Sequence, residues 1–153
     1  MAQFRFETLL KIRESERDSK KDEYLDAENR RLACAALLDS LGRELEALQN
    51  ESRNSRVGVF NPQLIARNID YREKIVAKFE ETLRSLNSLT EEAERLNQEL
   101  NEAIKEVKVL ENLKEREAER SLDESRRRHN KEMDEIAGRQ KELERRRGGD
   151  DES

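Results

Sequence analysis

Apolar residues recur at alternating spacings of three and four along two long stretches of this chain. In the first stretch the repeat passes through Tyr24, Ala27, Arg31, Cys34, Leu38, Leu41, Leu45 and Leu48. In the second stretch it passes through Val76, Phe79, Leu83, Leu86, Leu89, Ala93, Leu96, Leu100, Ala103, Val107 and Leu110. A repeat of this kind places the side chains on one face of an α-helix, as in a coiled coil. The sequence therefore predicts two long helices that pack along a narrow apolar seam.

Each stripe contains one irregularity. Between Leu83 and Leu89 the spacing is three and three, which predicts a stammer that locally overwinds the supercoil. Continued towards the N-terminus, the first stripe meets Lys20, Arg17 and Arg13 before it reaches an apolar residue. We therefore expect the seam to be weak over these three basic residues.

The residues that break helices are concentrated between Arg53 and Pro62, where Gly58 and the only proline of the chain lie. The Asn61 side chain can cap the free N–H groups of a helix, and proline fits the first helical position. We predict an N-terminal extension over 1–7, helix 1 over 8–52, a turn over 53–61, helix 2 over 62–147 and a disordered tail over 148–153. A connection of about nine residues lets two helices fold back on each other.

The composition excludes an ordinary round core. Charged residues make up 44 % of the chain and apolar residues 33 %, whereas typical soluble domains are about 25 % charged. Disorder is the rival interpretation of such a composition, but acids and bases are interleaved and the formal net charge is only -5. The sequence therefore predicts an all-α fold, an antiparallel two-helix coiled coil (a helical hairpin) whose second helix extends beyond the first.

Residues 114–147 of helix 2, here called the overhang, are predicted to have no partner within the chain. An unpaired helix is polar all round and is stabilised by neighbouring ion pairs. Acid-to-base pairs spaced by four residues occur at Asp123–Arg127, Glu124–Arg128, Glu135–Arg139 and Glu142–Arg146. A short apolar strip interrupts this charge at Met133, Ile136, Ala137 and Gln140. The strip indicates either an external partner or a solvated helix face without a role.

We find no pattern that indicates catalysis. His129, the only histidine, lies on the charged overhang, and Cys34, the only cysteine, lies on the seam as a small apolar residue. We therefore expect no enzyme activity, no metal and no cofactor. The mild net acidity argues against nucleic acid as a partner. A secretory signal and an apolar stretch of membrane-spanning length are not found, so a cytoplasmic protein is expected.

The two ends of the chain carry the most specific patterns. The N-terminal Phe4–Arg13 (FRFETLLKIR) places two phenylalanines ahead of Leu9 and Leu10. These apolar residues form either a staple that ties the chain entry onto helix 1 or an anchor for a partner. The C-terminal pattern runs from Leu110 to Arg139. Together the two segments resemble the FliJ family, the stalk-like component of the bacterial flagellar type III protein export apparatus.

The resemblance implies a protein that binds and stimulates the hexameric export ATPase at the open end of the hairpin. It also implies contact with the cytoplasmic domain of the membrane export gate, at the inner face of the cell membrane, and in some members the escort of export chaperones. The matching motifs, with Met133 from the apolar strip, give the candidate partner-binding residues Phe4, Phe6, Leu9, Leu10, Lys131, Met133, Asp134, Glu135, Ile136 and Arg139.

The chain departs from the family pattern in two respects, its net acidity and Asn130, where the pattern suggests glutamine. The alternative function is a generic coiled-coil scaffold or dimeric spacer with no role in export, whose helices pair between chains.

Overall fold

Two helices make up the described part of the chain. In the computed structural model, which describes residues 4–55 and 61–150, α1 runs over Glu7–Ser55 and α2 over Pro62–Asp150. The second helix is the longer, the two pack against each other, and no strand occurs among the described residues. The predicted fold class is confirmed.

The start of α2 follows from the chemistry of two residues. Asn61 Oδ1 accepts a hydrogen bond of 3.2 Å from the backbone N–H of Gln63, which satisfies a donor that has no partner inside the helix. Pro62 occupies the first helical position, where its missing N–H costs no hydrogen bond. The predicted glycine turn at Gly58 lies outside the described residues.

The other helix ends differ from the predicted boundaries by one to three residues. The first helix begins at Glu7 rather than at residue 8 and continues to Ser55 rather than 52. An acidic side chain in the first turn is stabilised by the positive end of the helix dipole, which favours the start at Glu7. The second helix continues through Gly148 and Gly149 to Asp150. Neither glycine takes a positive φ, so neither terminates the helix in the left-handed conformation common at C-caps.

The helices are antiparallel in each of the two compact units into which the chain divides. In the first unit, residues 1–13 and 106–153, Leu10 packs with Val107 and Leu110.

In the second unit, residues 14–105, residues later in α1 contact residues earlier in α2. Ala27 packs with Ala93 and Leu96, whereas Cys34 Sγ donates a 3.5 Å hydrogen bond to the Thr82 carbonyl.

The register of α2 corrects the predicted seam at two positions. Ile75 and Thr82 are buried, whereas Val76 and Leu83 are 37 % and 40 % exposed. The seam therefore follows an unbroken repeat through residues 75, 79, 82, 86, 89, 93, 96, 100, 103, 107 and 110. No stammer occurs there, and the predicted one is wrong.

Thr82 can occupy a seam position because its polar group is satisfied locally. Its hydroxyl donates a hydrogen bond of 2.7 Å to the Lys78 carbonyl, one turn earlier in the same helix. Burial of a hydroxyl costs little once it has a partner. The continuous register therefore prevails over the greater hydrophobicity of Leu83.

Candidate partner-binding surfaces

An aromatic cluster covers the start of α1. Phe4 and Phe6 pack, partly buried, against Leu10, Val107 and Leu110. Their rings meet edge to face, with centroids 5.9 Å apart and an interplanar angle of 72°, a favoured geometry for aromatic pairs.

The four predicted binding residues at this end fall into different environments. Leu10 is only 4 % exposed and belongs to the core, so its side chain supports the cluster from inside. Leu9 is 38 % exposed, and Phe4 and Phe6 each keep part of their surface in solvent. A partner at this end would contact Leu9 and the two phenylalanines directly. Leu10 would affect the partner only by supporting these side chains from inside.

Two ion pairs hold the same segment to α2. Lys114 Nζ lies 3.0 Å from a Glu7 carboxylate oxygen, and Arg13 Nε lies 3.6 Å from a Glu106 carboxylate oxygen. All four side chains are a third or more exposed, so each pair contributes little to stability. The ion pairs position the N-terminal segment more than they stabilise it.

Beyond Leu110 no described side chain of α2 is buried. All residues from Glu111 to Gly149 are exposed, and the predicted overhang, 114–147, lies within this segment. Two of the predicted ion pairs are formed, Glu124–Arg128 at 3.8 Å and Glu142–Arg146 at 3.6 Å. These are surface pairs of low individual value.

The predicted binding residues of α2 all lie in this exposed segment. They are Lys131, Met133, Asp134, Glu135, Ile136 and Arg139. Met133 and Ile136 are 53 % and 49 % exposed and share a helix face because they are three residues apart.

The structure does not bring these residues next to the aromatic cluster. Leu110, which contacts Leu10, precedes Lys131 by roughly 30 Å of helix. The candidate site is therefore two separate surfaces within the same unit rather than a single patch.

Further exposed apolar residues lie outside the predicted set of binding residues. In the overhang they are Leu122 and Leu143, which are 54 % and 57 % exposed. The available signal was their spacing from Ile136, since 122, 129, 136 and 143 are seven residues apart.

At the start of α2, Leu64, Ile65 and Ile69 are also exposed, at 54 %, 39 % and 52 %.

Two basic residues in the α1 seam, Arg13 and Lys20, pair with acidic residues on α2. Within the second unit, Lys20 Nζ lies 3.0 Å from a Glu99 carboxylate oxygen. The hydrogen bond between them raises the pKa of Lys20 and lowers the pKa of Glu99. Both shifts favour the charged forms, so the seam here is an ionic contact at neutral pH.

Two negative findings apply to the described residues only. Across 4–55 and 61–150, His, Cys, Asp and Glu side chains form no group of three or more that could hold a metal ion. Within the same ranges neither helix contains an apolar stretch long enough to cross a membrane.

Taken together, these features define a class of protein: an antiparallel two-helix coiled coil whose second helix carries a long exposed segment. The family model described as Flagellar FliJ protein matches residues 1–146 of the 153-residue chain. The chain belongs to the FliJ family. Members of this family are structural components of the flagellar export apparatus and are not known enzymes. Searches of curated proteins and of solved structures found no match.

Proposed function

We propose that this protein binds and stimulates the hexameric flagellar export ATPase and links it to the cytoplasmic domain of the membrane export gate. The observation that carries the proposal is the uncovered apolar surface at Met133 and Ile136, within residues 111–149 of α2, where every side chain is exposed. In this role the protein works in the cytoplasm, at the inner face of the cell membrane, and in some contexts escorts export chaperones.

The charge around Met133 and Ile136 suits a polar channel in a ring. Lys131, Glu135 and Arg139 are spaced by four residues and line one row of the helix. An ATPase channel that presents both signs of charge could pair with this row while Met133 and Ile136 fill a shallow apolar site. Modest apolar area combined with charge favours a reversible contact over a permanent one.

The N-terminal cluster supplies the second contact in this proposal. Leu9 and Ile12 are 38 % and 49 % exposed and lie on α1 beside the partly buried Phe6. Leu10 contributes by holding that segment against α2. Contact with the export gate rests on family membership, and the exposed start of α2 is a surface that remains for it.

The alternative function, a dimeric spacer, requires a different pairing of the helices along the seam. It requires α1 and α2 to pair between chains. In each unit, however, the buried residues of α1 pack against α2 of the same chain, which favours a hairpin with its outer surfaces available.

A substitution at Ile136 tests the ATPase contact. Ile136→Glu should abolish stimulation of the purified export ATPase and impair swimming, because a charge would enter an apolar contact. Helicity and melting temperature should stay close to those of the unsubstituted chain, since Ile136 is half exposed. Loss of stimulation is measured as ATP turnover with the variant added to the ATPase.

A matched control is Leu32→Glu, since Leu32 is similarly exposed, at 53 %, on α1. This variant should stimulate the ATPase normally. Full stimulation by Ile136→Glu, or equal loss by both variants, would contradict the proposed surface.

A further inference from the structure

A second heptad stripe runs along the exposed part of α2. Its members are spaced by four and three and are Leu122, Arg126, His129, Met133, Ile136, Gln140, Leu143 and Arg147. All eight are exposed, and the four apolar ones are each about half exposed. Such a stripe is the pattern of a helix that packs against another helix.

This stripe is not a continuation of the internal seam. The seam register, extended beyond Leu110, falls on Lys114, Glu117, Ser121 and Glu124, all of them polar. The apolar residues have therefore changed to another register. No residue of the seam needs to be uncovered for the second stripe to meet another helix.

We propose that this stripe pairs with the same stripe of a second copy of the chain, in antiparallel orientation. With Met133 placed opposite Ile136 of the second copy, the layers on either side match in chemistry. His129 then meets Gln140, with which it can form a hydrogen bond. Each outer leucine meets an arginine, Leu143 opposite Arg126 and Leu122 opposite Arg147, whose aliphatic stem can cover it.

A parallel pairing is less favourable because it stacks like charges. In a parallel coiled coil each residue of the stripe faces its own equivalent. Arg126 would face Arg126 and Arg147 would face Arg147, two like-charge layers inside one short interface. The antiparallel arrangement separates these arginines and gives each one a leucine.

The residues that flank the stripe also favour the antiparallel pair. Glu132 of each copy comes beside Arg139 of the other, so two-fold symmetry makes this attractive contact twice. Asp123 and Glu144 come side by side at the outer edges, where Arg126 and Arg147 supply compensating charge. The central part of the interface is thus complementary in charge.

The pairing does not depend on the ATPase contact proposed above. Since both would use Met133 and Ile136, however, the second copy and the ATPase would compete for the same face. The stripe has only two fully apolar layers at its centre, so the pair is weak enough for such exchange. A second copy would then protect the apolar residues until the ATPase replaces it.

The experiment uses the full chain and sedimentation equilibrium over rising protein concentration, with reductant present to keep Cys34 reduced. The weight-average mass should rise from 18.0 kDa towards twice that value. Glu132→Arg alone and Arg139→Glu alone should each weaken self-association by about tenfold, because two attractive contacts become repulsive. The double variant should restore it, and all three should keep the helicity and melting temperature of the unsubstituted chain.

Three outcomes would overturn the proposal. The first is a chain that stays at the monomer mass at every concentration. The second is self-association that Ile136→Glu leaves intact, which would place the interface elsewhere. The third is rescue of Arg139→Glu by Glu144→Arg instead of Glu132→Arg, since those two positions face each other only in the parallel pair.

Discussion

Truncation of Leu41 tests the division of the molecule into a packed seam and an exposed helix. Leu41 is 4 % exposed, in the part of α1 where Gly42 packs near Phe79. Leu→Ala changes in well-packed cores cost 2–5 kcal/mol, and a two-helix seam lies at the lower end because solvent can reach the space left behind. We expect Leu41→Ala to cost about 2–3 kcal/mol, or about 5–10 °C in melting temperature for a chain of this size.

The assay is thermal unfolding followed by circular dichroism, with Leu143→Ala as the matched control. Leu143 is 57 % exposed, so the same change of side chain should move the melting temperature by less than about 2 °C. Both variants should keep the helical spectrum of the unsubstituted chain at 20 °C or so. Equal shifts in the two variants, or a larger shift for Leu143→Ala, would refute the assignment of seam and exposed surface.

Three further changes test particular contacts by thermal or urea unfolding. Leu83→Ala should cost less than about 1 kcal/mol, because Leu83 is 40 % exposed; a cost equal to that of Leu41→Ala would restore the rejected register. Gly42→Ala should stabilise the chain by up to about 1 kcal/mol, since the added methyl would lie 3.7 Å from the Phe79 ring, an ordinary contact; destabilisation would show that the helices are closer. Lys20→Met should lower stability slightly near pH 7, and the difference should vanish at both pH extremes. Because the hydrogen bond to Lys20 lowers the pKa of Glu99, the contribution of Glu99 is present above the ordinary carboxyl pKa of 4.5 and is lost as the pH falls through the lowered pKa. Because the same bond raises the pKa of Lys20, the contribution of Lys20 is present below the ordinary pKa of 10.5 and is lost as the pH rises through the raised pKa. A difference that is independent of pH would contradict the ion pair.

Periodicity alone predicted most of the fold. The α1 register is correct throughout: Ala27 and Leu41 are buried, and Cys34 is partly buried. Val107, a member of the predicted α2 stripe, is buried against Leu10. These positions were predictable because leucines and alanines recur without a competing neighbour.

The misplaced part of α2 has a physical explanation. At 75–76 and again at 82–83, the spacing allows either of two adjacent residues to occupy the seam position. At the second of these places hydrophobicity alone favours Leu83 over Thr82. The deciding factors were the uninterrupted register and the hydrogen bond that satisfies the Thr82 hydroxyl. That bond depends on a side-chain rotamer, which a pattern of hydrophobicity does not contain.

The candidate surfaces were less predictable than the fold. The exposed residues Met133 and Ile136 were identified because they interrupt a charged segment. Leu10 was assigned to a binding surface with its neighbours, although it is buried. A terminal apolar cluster has the same composition whether it covers the chain's own core or binds another protein.

The basic residues in the seam also predict that backbone amide protons exchange with solvent at different rates along α1. Around Leu41 the seam is apolar, and its opening becomes more costly as salt strengthens hydrophobic burial. At Arg13 and Lys20 the contacts with Glu106 and Glu99 are ionic and partly exposed, so salt weakens them. Hydrogen exchange should therefore be faster over residues 13–20 of α1 than near Leu41, and added salt should widen the contrast. The seam would open over these basic residues while the apolar contacts on either side of them, at Leu10 and at Leu41, stay closed.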